Sequence, residues 1–365
     1  MKNQLFGLRG CLLMAALLLA SHASAQNQLS SDIIASPRPL SADQRDQVSA
    51  YVRHWTAQLT VSPDTPQAPT VIRNARSRLI NPATQVSATL DFRRAYSDVI
   101  VPELSRIVGG NNTLHSVNAM SVLVQVGTDQ ALDVLIAHLD SSSHPVRHSA
   151  IRFARDMVEG FLQNRNLITA GRMSTLAREV ADAATAESSA MTLQRQFETL
   201  DAIQLVTRTR PAMAQLEGTV LDLTLDVLRS RAQRLLAAET PSSDIGVLHR
   251  ALVVQREDFI RRNQTQRMAV GPRLVVIMTT LLEAGSAHWD QAQANPGHSV
   301  TYLSAIEFCD EFMKLIDSSV RDGGQTPNTQ LRQAWAGRDR DAYNRQFQQW
   351  QSVRTGQDPY RNFPR

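Results

Sequence analysis

Residues 112–157 read NTLHSVNAMSVLVQVGTDQALDVLIAHLDSSSHPVRHSAIRFARDM. Leu114, Val117, Met120, Leu123 and Val124 recur at helical spacing over 114–126. Gly127-Thr128-Asp129 interrupts them, and Asp129 can cap the next helix. Leu132, Leu135, Ile136 and Leu139 then make a second apolar face. DSSSHP (140–145) turns the chain again. A third face runs from Val146 to Phe161 through Ala150, Phe153, Ala154, Met157 and Val158. Upstream, AYSDVIVPELSRIV (95–108) is helical apart from Pro102, which predicts a kink or a restart, and GGNNT (109–113) closes it. The stretch reads as two helix–turn–helix units whose second helices begin near 114 and 146, an offset of about 32 residues.

Paired helices repeating at about 30–50 residues predict an α-solenoid, because no single unit buries its apolar face alone. A short Asp or Pro turn leads into V-R-x-x-A, supplied by Pro145, Val146, Arg147 and Ala150. In this the segment resembles HEAT-type repeats. The resemblance covers about residues 95–162, under a fifth of the chain. It implies an all-α fold, with tandem helical hairpins forming a short HEAT-like α-solenoid plus additional helices. It implies a recognition scaffold and brings no catalytic residues with it.

The rest of the chain is helical by rhythm without a clean repeat. Residues 26–40 read as a flexible lead. Residues 41–94 hold N-terminal helices, the first opened by a capping-box pattern at Ser41 and Gln44. A second helix runs from about Thr70 to Leu79, and Asn81-Pro82 is expected to end it. The helical region 163–321 includes AMTLQRQFETLDAIQLVTRT (190–209), GTVLDLTLDVLRSRAQRLLAAE (218–239) and the very apolar PRLVVIMTTLLEAG (272–285). The last holds Arg273 and Glu283 and is too short for a bilayer, so it reads as core, and no membrane span is expected downstream of the leader. SAHWDQAQANPGHSV (286–300) reads as an irregular loop and DGGQTPN (322–328) as a linker. Residues 322–365 form a polar tail, read as a docked capping helix, an arm for a partner, or disorder.

The N-terminus predicts export. Lys2 and Arg9 precede an apolar run from Cys11 to Ala20, and Ala23-Ser24-Ala25 supplies the small residues of a cleavage site. A signal peptide of residues 1–25 places the mature chain in the periplasm or outside the cell. The whole chain has 38 basic and 34 acidic residues, net +4, and loss of Lys2 and Arg9 lowers this to +2. Neither that balance nor any aromatic-basic module favours nucleic acid. Lys314 is then the single lysine and Cys309 the single cysteine, so no intrachain disulfide forms. Cys309 sits among Glu307, Asp310 and Glu311, which oppose a reactive thiolate and suit a buried small hydrophobe.

Chemistry-bearing patterns are sparse. His144 precedes Pro145 and is expected at or outside the helix cap, with His148 inside, so the two need not share a face. No H-E-x-x-H accompanies them; His138 and Asp140 are the nearest further ligands, and no metal or other cofactor is expected. Ser286 and Ser299 lack a nucleophile-elbow setting. Gly109-Gly110 and Gly323-Gly324 carry no phosphate-loop fingerprint. Arg147, Arg152 and Arg155 lie mostly off the apolar face as a solvated ridge. With Trp335 and Trp350 of the tail they are the candidate contacts for a protein partner. The expected function is therefore an exported, non-enzymatic interaction scaffold of the bacterial envelope. The alternative is an α-helical enzyme or binder acting on a wall or extracellular glycan through His288, Trp289, Asp290 and His298, where the Trp stacks a sugar ring. A homo-oligomer is the third reading.

Overall fold

A computed structural model describes residues 28–321, 325–356 and 359–360. The leader read at 1–25 and Gly323-Gly324 lie outside the described residues. Among the described residues there are 16 α-helices, one 3-10 turn (Pro211–Leu216), and no β-structure beyond an isolated parallel bridge between Thr128 and Leu167. The chain is all-α. It divides into two compact units at Met173.

The first unit begins where a flexible lead was expected. Instead Leu29, Ile33, Ile34 and Leu40 are buried, with a helical turn α1 at Ser31–Ile34. Thr89 fastens this segment, its N–H donating to Ile34 O at 3.2 Å and its hydroxyl to Ser36 O at 2.7 Å. Six longer helices come next: α2 (Ala42–Leu59), α3 (Ala68–Thr84), α4 (Leu90–Val108), α5 (Thr113–Val126), α6 (Asp129–Ile136) and α7 (His144–Leu162). Each pairs with its neighbour, α2 with α3, α4 with α5, α6 with α7. First helices also pack on first helices (α2–α4–α6), and second on second (α3–α5–α7).

Local signals set the helix starts. Ser41 and Gln44 form both bonds of a capping box, and Thr89, Asn112 and Thr128 accept the first free amides of α4, α5 and α6. Thr128, rather than Asp129, is the cap of α6. The prolines depart from expectation. α3 runs through Pro82 to Thr84, and α4 runs through Pro102. Pro82 has no N–H to give Arg78 O, four residues earlier. That carbonyl accepts the Tyr51 hydroxyl from α2 instead. Tyr96 of α4 likewise donates to Leu79 O at 2.7 Å.

The division between units falls in α8 (Ala170–Ala186). The second unit then comprises α9 (Ala190–Thr209), α10 (Glu217–Ala237), α11 (Asp244–Arg261), α12 (Gln264–Ala287), α13 (Trp289–Ala294), α14 (Pro296–Val320), α15 (Leu331–Ala336) and α16 (Arg340–Gly356). α12 is the axis, packed against α10, α14 and α16. It is long and apolar enough to cross a membrane, and 78% of its most apolar window is buried within the protein. Burial on all sides explains why its apolar residues form no stripe. Each fully buried Leu, Ile, Val or Met there contributes about 1.5–3 kcal/mol.

One expectation fails in this unit. The loop read over 286–300 is helical: α12 extends to Ala287, α13 begins almost at once, and α14 starts at Pro296 behind an Asn295 cap. Pro296 at the first helical position suits a helix start, which Asn-Pro-Gly in sequence disguises as a turn. Of the readings given for the tail, the docked one fits its described residues. Leu331, Trp335, Tyr343, Phe347, Trp350 and Val353 belong to the same buried cluster as α12 and α14.

Candidate functional site

The sequence-selected contact residues scatter. Of the three ridge arginines only Arg152 is exposed, its guanidinium 5.4 Å from the Phe153 ring. Arg147 donates to Ser141 O at 2.6 Å, and Arg155 pairs with Glu159 at 2.9 Å. The ridge is therefore partly tied down. His144 opens α7 instead of preceding it, so it does share a face with His148; their rings stand 6.1 Å apart, 28° from parallel. Among the described residues no group of three or more His, Cys, Asp and Glu side chains is placed to hold a metal ion.

Trp335 and Trp350 are anchors of the fold and not partner contacts, because they are 1% and 0% exposed. Their partners lie within the second unit. Trp335 Nε1 donates to Ser299 O at 3.1 Å. Trp350 Nε1 donates to Asp310 Oδ1 at 2.9 Å. Asp310 also accepts from Lys314 Nζ at 2.8 Å and from the Thr329 hydroxyl. Seven residues on, Asp317 repeats the arrangement. It accepts from Arg321 at 2.7 Å, Thr326 at 2.8 Å and the Tyr360 hydroxyl at 3.0 Å. Two aspartates on one face of α14 thus each hold a cation four residues on, a threonine of the connecting segment and an aromatic of the tail. These carboxylates and Lys314 serve the fold. Cys309, beside them, is 1% exposed, and burial together with Asp310 pushes its thiol well above the usual range.

The four residues expected to contact a glycan do not converge. His288 is buried, with Nε2 2.8 Å from Ala238 O and Nδ1 3.0 Å from the Tyr302 hydroxyl. A carbonyl only accepts, so Nε2 carries a proton and donates to Ala238 O, while Nδ1 pairs with the Tyr302 hydroxyl. Trp289 is 4% exposed and packs edge-on to Trp335 at 4.6 Å, leaving no free face for a sugar. Asp290 is exposed and pairs with Arg340 at 3.0 Å. His298 lies on the first turn of α14, lining a hollow of about 380 Å³ with Met191, Ile245 and Arg250. Helix formation across 286–300 is what separates them.

The first unit carries further depressions. One groove of about 610 Å³ crosses the C-terminal parts of the three second helices. α3 contributes Ile80 and Ala83, α5 contributes Val124 and Gln125, and α7 contributes Asp156 and Gly160. Val86 stands fully exposed at its edge. Arg93 closes one end, its guanidinium bonded to Arg165 O. Asn166 forms part of the floor, donating to Met157 O at 2.8 Å. No sequence motif marked this groove, since its residues come from four separate stretches and share only their position after stacking. No protein-family model matches the chain, and no curated protein matches it.

Proposed function

We propose that the first unit is a short HEAT-type solenoid and that the protein is an exported scaffold that holds a protein partner in the groove edged by Val86. The alternating packing of α2 to α7 supports the solenoid reading, because each pair covers the apolar face of the next. The observation that carries the recognition reading is the groove itself. It spans three successive second helices, with a mixed lining in which Ile80, Ala83 and Val124 stand beside Gln125 and Asn166, a fully exposed valine and arginines at its rim. An exposed apolar edge with a polar rim is the pattern of a protein-contact surface. Export rests on the leader pattern of residues 1–25.

The test is site-specific photocrosslinking in cells. A photoreactive residue at Val86 is expected to yield one discrete protein adduct in the envelope fraction. The same residue at Met268, exposed in the second unit, serves as the control. No adduct from Val86, or the same adducts from both positions, overturns the reading.

A further inference from the structure

A second cavity of the first unit, about 460 Å³, lies between α4, the start of α6 and residues 166–169. That volume falls within the range of small-molecule sites. Its walls are held in place before any ligand arrives. Leu167 N donates to Gly127 O at 2.7 Å, and the Asp129 carboxylate takes both the amide and the hydroxyl of Thr169 at 2.8 Å. Ser97 and Thr128, both buried, share a hydroxyl–hydroxyl bond of 2.7 Å. Gln130 bridges the walls, its Nε2 donating to Asp98 Oδ1 at 3.1 Å and its Oε1 accepting from the Ser97 hydroxyl at 3.4 Å, while Asp98 itself is exposed. Phe161 lines the cavity half-buried, and Arg94 stands exposed at the rim with no ion pair among the described residues.

This is a mixed set of donors and acceptors beside an aromatic surface and one uncommitted cation. A carboxylate accepts only, an amide does both through separate atoms, and hydroxyls do both through one. Adjacent hydroxyls of a sugar also do both, so they match such an array where a single ion does not. The part-exposed Phe161 ring offers an apolar face to sugar C–H groups. The planar Arg94 fork fits a carboxylate through two parallel bonds.

We propose that this cavity binds a sugar that carries a carboxylate. Arg94 takes the carboxylate, and Asp98 and Gln130 take ring hydroxyls. The site gives the chain a glycan-recognition activity far in sequence from residues 286–300; Asn166 lines both this cavity and the protein-binding groove, but the sugar reading does not rest on the groove.

The experiment is titration of the whole protein with glucuronate, galacturonate and N-acetylmuramic acid, monitored by ligand-observed NMR and calorimetry. Glucose and acetate are the comparison ligands. At least one acidic sugar is expected to bind saturably and more tightly than either. Arg94→Ala is expected to weaken that sugar about tenfold, the loss of one charge-assisted contact, while leaving glucose unchanged. Asp98→Ala is expected to weaken both sugars. Arg94 and Asp98 are exposed, so both variants are expected to keep the parent's thermal midpoint, checked by circular dichroism. Three results overturn the proposal. One is no saturable binding of any of the three acidic sugars. Another is acetate binding as tightly as they do, which marks an anion patch alone. The third is acidic-sugar binding unchanged in Arg94→Ala and Asp98→Ala variants that keep the parent's midpoint.

Discussion

Trp350 donates its indole N–H to Asp310 Oδ1 at 2.9 Å, with the tryptophan fully buried and the aspartate 5% exposed. A buried carboxylate is costly unless its oxygens are satisfied. Lys314, Thr329 and Trp350 together satisfy this one. Trp350→Phe keeps a six-membered aromatic ring but loses the indole N–H, which serves Asp310 and Thr329, and the volume of the second ring. We expect it to cost about 1–2 kcal/mol in urea unfolding. Trp350→Ala adds a cavity and is expected to cost about 3–5 kcal/mol. Equal stability of Trp350→Phe and the parent would show that the bond contributes nothing.

Removal of the tail is expected to open the second unit. A chain ending before Gln325 loses Trp335, Tyr343 and Trp350, which cover Trp289, Tyr302 and the surroundings of Cys309. In a chain without residues 1–25, Cys309 is the sole thiol. In the intact protein it is expected to resist aromatic disulfide reagents at pH 8, since it is buried and its thiolate is disfavoured. The shortened chain is expected to react rapidly and to bind hydrophobic dyes. Rapid labelling of the intact chain would contradict the burial.

Gly127 has φ of 63°, and a Cβ built on it lies 2.2 Å from Asn166 Oδ1. Gly127→Ala thus meets both left-handed strain and a clash, and is expected to cost about 2 kcal/mol or more. Asn166→Ala relieves the clash and leaves the strain. The double variant is therefore expected to be more stable than the sum of the two single losses allows. Strict additivity, read from denaturant midpoints at constant slope, would place Asn166 elsewhere.

All five tyrosines, Tyr51, Tyr96, Tyr302, Tyr343 and Tyr360, are held above the usual phenol range, with burial the leading cause in each. A phenol whose pKa is raised on folding stays neutral in the folded chain. Its contribution is fully present below the unfolded value near pH 10 and is lost as pH rises above it. The protein is therefore expected to lose helicity above about pH 10. Phenolate absorbance at 295 nm should rise in the same cooperative step. Phenolate appearing near pH 10 with unchanged circular dichroism would contradict this.

The two kinds of information separate cleanly along the chain. Helix existence was legible wherever apolar spacing and a cap agreed, as at Ser41 with Gln44 or over Ala190–Thr209. These signals lie within one turn or one helix, so sequence carries them directly. The prolines, the tail and the groove are different. Pro82 stays in its helix because Tyr51, 31 residues earlier, takes up the carbonyl it frees. The tail reads as polar because glutamine and arginine outnumber its anchors. Its few aromatics nonetheless decide its place, through buried partners on α14 that obey no local rule. The loop read over 286–300 failed because Asn-Pro-Gly starts a helix as readily as it makes a turn, and only the packing of α13 and α14 selects between them. Sequence by itself determined that the chain is helical and where most helices begin, since capping and periodicity are short-range. Which residues line the Val86 groove and the Arg94 cavity was decided only by tertiary packing, since both are assembled from side chains that become neighbours once the helices stack.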